Sequence, residues 1–209
     1  MTDWADQTEQ RLLDAALAFA GEMGWSQAMV DRAARRVGLS RGETELLLPQ
    51  GARDLAALLS RRHDARALAT LSKIDASKLK IRERIARGVE ARLEAAIEDE
   101  AALRRWAGFL ALPTHMPLAL RLVWESADHI WRWAGDTATD ENHYSKRAIL
   151  SGILISTLAV RLSSGPEAAA AELSARIDNV MAFEKWKAGL HPALAASAAA
   201  AALGRLRYR

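Results

Sequence analysis

Apolar residues recur along this chain every three or four positions, and the recurrence is cut again and again by helix-stopping residues. The stops are Gly24, Gly38, Pro49-Gln50-Gly51, Pro113, Gly135, Gly165-Pro166 and Gly189-Leu190-His191-Pro192. Between them the apolar spacing stays near 3.6 residues, and no segment alternates with a period of two. A chain punctuated in this way buries its apolar stripes by packing helix on helix, so the fold is predicted to be all-α. The predicted helices are residues 8–23, 27–37, 41–48, 53–71, a fifth capped by Ser77 and reaching 98, 100–112, 117–133, 141–162, 167–187, and a final alanine-rich piece. That makes about nine or ten helices. They divide into an N-terminal unit (1–51), a larger helical body (52–188) and a C-terminal amphipathic helix (189–209).

Composition narrows the function classes. In 209 residues, 29 Lys+Arg face 26 Asp+Glu, a formal charge of +3. Such a mild excess permits an anionic membrane surface or a local nucleic-acid contact and demands neither. There is no cysteine, which excludes disulfides, thiolate metal sites and cysteine nucleophiles. The acidic start lacks the apolar core of a signal peptide and the arginine-rich composition of a transit peptide. The strongly apolar stretch 148–160 is too short to span a bilayer. These features predict the cytoplasm of a bacterium, or an equivalent reducing compartment. His63, His115, His129, His143 and His191 are scattered. Glu125, Asp128 and His129 lack the second Glu-x-x-His element that a bundle metal site needs. No glycine-rich phosphate loop, HExxH or nucleophile elbow is present. The chain therefore reads as non-enzymatic, with neither cofactor nor metal.

The first fifty residues describe two helices, a Gly38-Leu39-Ser40 turn and a short third helix, the order of a helix-turn-helix. With Ala15-Ala16, Gly24-Trp25 and Ala33-Ala34, this region resembles the N-terminal domain of TetR-type transcription regulators. In those proteins the third helix enters the DNA major groove. Here that helix carries Glu43 and Glu45, which a phosphate-lined groove repels, and a single basic residue, Arg41. Arg32, Arg35 and Arg36 lie on the preceding helix, where a solvated face accounts for them. DNA binding is therefore not expected.

The segment from Trp131 to Arg147 is the least ordinary. Gly135 ends one helix, and Asp140 can cap the next, its carboxylate accepting N–H bonds at the positive helix end. Asp140, His143, Tyr144 and Arg147 are three or four residues apart, so they share one helix face. Tyrosine and arginine beside a polar rim suit a protein–protein hot spot. An unpaired Arg147 would be costly to bury, so the face is predicted to be exposed.

Leu48-Pro-Gln-Gly51 with Asp54-Leu55, and the pattern Gly135-Asp-x-x-x-Asp140-x-Asn142-x-Tyr144-x-x-Arg147-Ala148 followed by Leu150-Ser-Gly152, resemble the TetR-like lipid-binding accessory proteins of coenzyme Q (ubiquinone) biosynthesis. The resemblance spans almost the whole chain. It departs from the family at His143, where tryptophan is common in eukaryotic members. It implies a pocket for an isoprenoid or quinone lipid, docking to a quinone-ring hydroxylase, and contact with an anionic membrane surface.

Three sets of residues follow. The docking face is Asp140, His143, Tyr144 and Arg147. The inward stripes of the later helices read as core from their spacing alone. The resemblance turns part of them into a lipid pocket formed by Trp106, Phe109, Leu110, Leu122, Trp131, Ile149, Ile153, Leu154 and Met181, with Gly108, Gly152 and Ser156 leaving room. Membrane contact falls to Leu194, Leu203, Arg205, Leu206 and Arg207, a basic amphipathic tail of low apolar payload. The same tail also suits packing on the body or a dimer seam. The expected protein is a homodimer, peripheral at a bacterial inner membrane. It binds a polyprenyl quinone intermediate and presents it to the hydroxylase. The alternative is a TetR-type repressor answering a small hydrophobic ligand.

Overall fold

The computed structural model describes residues 2–137 and 141–189, with side chains over 4–137 and 143–180. Its helices are α1 (Thr2–Met23), α2 (Gln27–Val37), α3 (Arg41–Leu47), α4 (Ala52–Leu71), α5 (Ile81–Ile97), α6 (Glu100–Leu110), α7 (Met116–Trp133), α8 (Glu141–Ser164) and α9 (Pro166–Gly189). Short 3₁₀ turns at Ala76–Lys78 and Pro113–His115 complete the regular structure of the described residues. The fold is all-α and TetR-like, as expected.

Local chemistry sets most boundaries. Ser26 Oγ accepts the Met29 N–H at 3.3 Å and opens α2. Gly38, at φ +77°, closes it, returning its own N–H to Arg35 O and that of Leu39 to Ala34 O. A side chain with a Cβ is strained in that left-handed conformation. Ser40 and Glu43 form a reciprocal capping box at the start of α3. Glu43 is therefore occupied at its own helix end, and the hydrogen bonds from Ser40 hold its pKa below the ordinary value.

Several helix boundaries differ from expectation. α1 starts six residues earlier than its apolar stripe, and α6 stops at Leu110. Ser77 does not cap α5. It lies within the 3₁₀ turn that Asp75 caps through Ser77 N and Oγ, at 3.1 and 2.6 Å. α5 begins later, where the Glu83 carboxylate accepts Lys80 N–H at 2.8 Å.

The N-terminal unit has no core of its own. Leu12, Leu13, Met29 and Val30 share one buried cluster with Leu55 and Leu59 of α4, Leu103 of α6 and Leu122 of α7. A second cluster joins Val89 of α5, Ile130 of α7, Leu150 of α8 and Ile177 of α9. Each such side chain contributes about 1.5–3 kcal/mol on burial, which fuses the 1–51 segment to the body. Between His143 and Ser164, α8 is long and apolar enough by length and composition to cross a bilayer. Here it packs between α7 and α9.

Four indoles pin helices together, each donating to a backbone carbonyl of a neighbour. They pair Trp25 with Ala102 at 3.1 Å, Trp106 with Ala56 at 2.9 Å, Trp131 with Lys146 at 3.1 Å and Trp133 with Leu71 at 3.1 Å. A buried indole needs such a partner, so these four fix orientation as well as filling volume.

Candidate functional site

α5, α6, α7 and α8 leave an open cavity of about 380 Å³ between them. That is at the small end of the ~300–1,000 Å³ range of ligand sites. The walls are apolar: Leu93 from α5, Trp106 and Leu110 from α6, Val123 from α7, Leu154 and Leu158 from α8. Alanines 96, 107, 111, 119 and 159 make the room. Trp106 has spent its N–H on Ala56 O, so it offers the cavity only its ring. At the mouth, Met116, Leu120 and Ile155 line the cavity yet stand in solvent; Leu120 is 56% and Ile155 52% exposed.

The floor is polar and buried. Ser60 of α4, Arg92 of α5 and Ser126 of α7 all reach the cavity. Arg92 Nε donates to Asp64 Oδ1 at 2.6 Å and its Nη2 to Ser60 Oγ at 3.2 Å. Ser126 Oγ donates to the same Asp64 oxygen at 2.7 Å. Burial favours the neutral acid of Asp64, but His129, Arg92 and Ser126 outweigh it and hold the pKa below the ordinary value. His129 Nδ1 lies 3.7 Å from Asp64 Oδ2. That is too long for a hydrogen bond, so the two act on one another as charges across a gap. Asp64 in turn raises the His129 pKa against its partial burial. One position before Asp64 on α4, buried His63 meets Asp99 at 3.1 Å. Burial keeps its pKa below the ordinary value despite that partner.

Of the residues expected in the pocket, Trp106, Leu110 and Leu154 line it. The other described ones do not. Phe109 stacks on His115 with ring centroids 3.9 Å apart. Leu122 is solid core. Trp131 and Ile153 belong to the second cluster, and Ile149 is 37% exposed beside α9. Gly152 and Ser156 border that shallow α8–α9 groove, and Gly108 is exposed. The inward stripe of a helix is wider than one cavity, and neighbouring members of a stripe meet different partners. The side chain of Met181 lies outside the described residues, as do Leu194, Leu203, Arg205, Leu206 and Arg207.

The sequence did not point to Arg92, Ser60 or Ser126. A signal was there: Arg92 is three or four positions from Val89, Ala95 and Ala96, so it stands on the buried face of α5. Asp64 is likewise in line with Ser60, Ala67 and Leu71.

The turn after α7 forms a second feature. Gly135 adopts φ +88°, and the Asp136 N–H returns to Trp131 O at 2.9 Å. The Asp136 carboxylate, almost fully buried, takes Lys146 Nζ at 2.7 Å and Arg147 Nη1 at 3.0 Å. Arg147 Nε donates to Asp128 at 2.6 Å, and Arg132 reaches Asp128 at 2.7 Å. Arg147 is only 2% exposed. Its predicted place on an exposed docking face is therefore corrected: burial is tolerable because two carboxylates pair it. Lys146 is part of the same network. Tyr144 is 64% exposed, with its ring beside His143 at 5.1 Å and Trp124 at 6.3 Å. Asp140 lies outside the described residues.

Fold and cavity define a class: a TetR-like helical protein whose internal space is an apolar cavity with a polar floor and an apolar mouth. Residues 116–184, which hold α7, α8 and most of α9, match the COQ9 family model. The chain is 32% identical over 174 residues to the ubiquinone biosynthesis protein COQ9-B, mitochondrial, of Xenopus laevis, covering 78% of this chain and 58% of that protein. The rat COQ9 protein is 31% identical over 171 residues, covering 78% and 54%, and the human one 29% over 169 residues, covering 78% and 53%. The chain is similar to these COQ9 proteins, and it spans just over half of their length.

Proposed function

We propose that this chain is a non-catalytic carrier in ubiquinone biosynthesis, the process its relatives are named for. It holds a polyprenyl quinone intermediate and delivers it to a quinone-ring hydroxylase. The open apolar cavity between α5 and α8 carries this reading, because a greasy ligand needs that lining and a route out. The patch of Trp124, His143 and Tyr144 supplies the docking surface for the hydroxylase, with Asp140 preceding it. The C-terminal segment holding Leu194, Leu203, Arg205, Leu206 and Arg207 makes weak, reversible contact with an anionic bilayer. The protein is a homodimer at the inner membrane of a bacterium.

A DNA-binding repressor fits less well. Arg41 is engaged by Glu45 at 2.7 Å, and Arg32 and Arg36 stack over Phe19 at 4.5 and 5.4 Å. Deleting the gene should lower cellular ubiquinone severalfold and cause a prenylated ring precursor to accumulate, with the full chain restoring both. An unchanged quinone pool, or tight sequence-specific DNA binding in a mobility-shift assay, contradicts the proposal.

A further inference from the structure

The polarity of the cavity is the reverse of a surface amphiphile site: the polar groups are at the buried end and the apolar ones at the mouth. Arg92 uses Nε on Asp64 and Nη2 on Ser60. Among the described residues no protein acceptor meets its Nη1. Ser126 Oγ gives its proton to Asp64 and Leu122 O, at 2.7 and 3.2 Å, which leaves its own lone pairs as acceptors. Ser60 Oγ accepts from Arg92 and keeps an O–H to donate. The floor thus offers donors and an acceptor to a small oxygen group. Among the described residues that line the cavity the one cation, Arg92, is already matched by Asp64 at 2.6 Å. A carboxylate or phosphate head would therefore arrive as an unpaired buried anion, which is costly.

We infer that the cavity takes its ligand head first, with a neutral hydroxyl or carbonyl oxygen against Arg92, Ser60 and Ser126 and the apolar tail leaving past Met116, Leu120 and Ile155. This rests on the cavity being the ligand site. The ring of Trp106 offers a flat wall to an aromatic or prenyl head. About 380 Å³ holds a head and the first part of a prenyl chain, so a longer tail continues outside. A head held this way is shielded from any second protein. Ring chemistry therefore follows release, and the carrier protects and hands over.

The test uses the full chain and three lipids built on one prenyl skeleton: geranylgeraniol, its acid and its parent hydrocarbon. Binding is followed by tryptophan fluorescence in a fixed detergent background. The alcohol is expected to bind about 10-fold tighter than the hydrocarbon, the worth of one or two well-placed hydrogen bonds. It should also bind tighter than the acid. In Asp64→Asn/Arg92→Met, which removes both charges together, the preference for the alcohol over the hydrocarbon should fall to within about threefold. If that variant does not fold, the ranking in the unsubstituted protein decides alone. Equal binding of alcohol and hydrocarbon, tighter binding of the acid, or a preference that survives in the folded variant overturns the head-first assignment and leaves the cavity reading standing. Failure of all three lipids to bind overturns both.

Discussion

Arg147 and Tyr144 are three residues apart on α8 and have opposite fates. Arg147 is locked between Asp128 of α7 and Asp136 of the turn, and Tyr144 stands in solvent. From sequence the two looked alike, because the carboxylates that make Arg147 a buried residue lie 19 and 11 positions away, across a helix end. Only the folded turn brings them together. Arg147→Met takes one cation from the near-buried Asp136, which keeps Lys146, and one from Asp128, which keeps Arg132. Removing one partner of a buried ion pair costs about 3–5 kcal/mol, and these remaining partners place the loss near 3. The melting temperature should fall by roughly 6–12 °C in calorimetry. Tyr144→Ala should change stability by less than ~0.5 kcal/mol while weakening capture of the hydroxylase in a pull-down. Equal destabilisation by both substitutions contradicts the division between a structural arginine and a surface tyrosine.

Among the helices, the crossing of α5 on α7 shapes the site most directly, since it sets the spacing of the cavity walls. It is close because residue 88 is glycine; a Cβ there would meet Ile130 Cγ2 inside van der Waals contact. Gly88→Ala gains about 1 kcal/mol of helix propensity and loses about 1–3 kcal/mol to overpacking, for a net loss of about 1 kcal/mol in denaturant unfolding. Ile130→Ala should cost less in that background than in the unsubstituted protein, because it relieves the clash. Additive costs in the double-mutant cycle contradict a tight crossing at this point. The existence and order of the helices were legible, because their signals are local: Ser26, Gly38, Ser40 and Gly135 act within a turn or two of themselves. Ser77 misled because a serine that suits a cap is equally at home inside a short turn that an aspartate has already capped.

At the scale of the whole molecule, a single buried cluster runs from α1 to α7 and leaves its free space at the far end, against α8. Apolar stripes show which residues turn inward, not whether the space they enclose is filled. That is why Trp106, Leu110 and Leu154 were legible as cavity residues while Phe109, Leu122, Trp131, Ile149 and Ile153 proved to be packed or peripheral. Arg92 was hidden for a different reason: among the many charges of α5 it reads as solvated until Asp64 and Ser60 of α4 are laid against it. The central claim is that this cavity holds a prenyl lipid. Ala119 lines it, partly exposed, on α7, so Ala119→Phe fills it from the wall without burying a polar group. Native mass spectrometry of the protein purified from its own cells, beside Ala119→Phe, reads the claim directly. The unsubstituted protein is predicted to carry an isoprenoid mass that Ala119→Phe loses at an unchanged melting temperature. An empty unsubstituted protein, or an equal lipid load on both, contradicts the account.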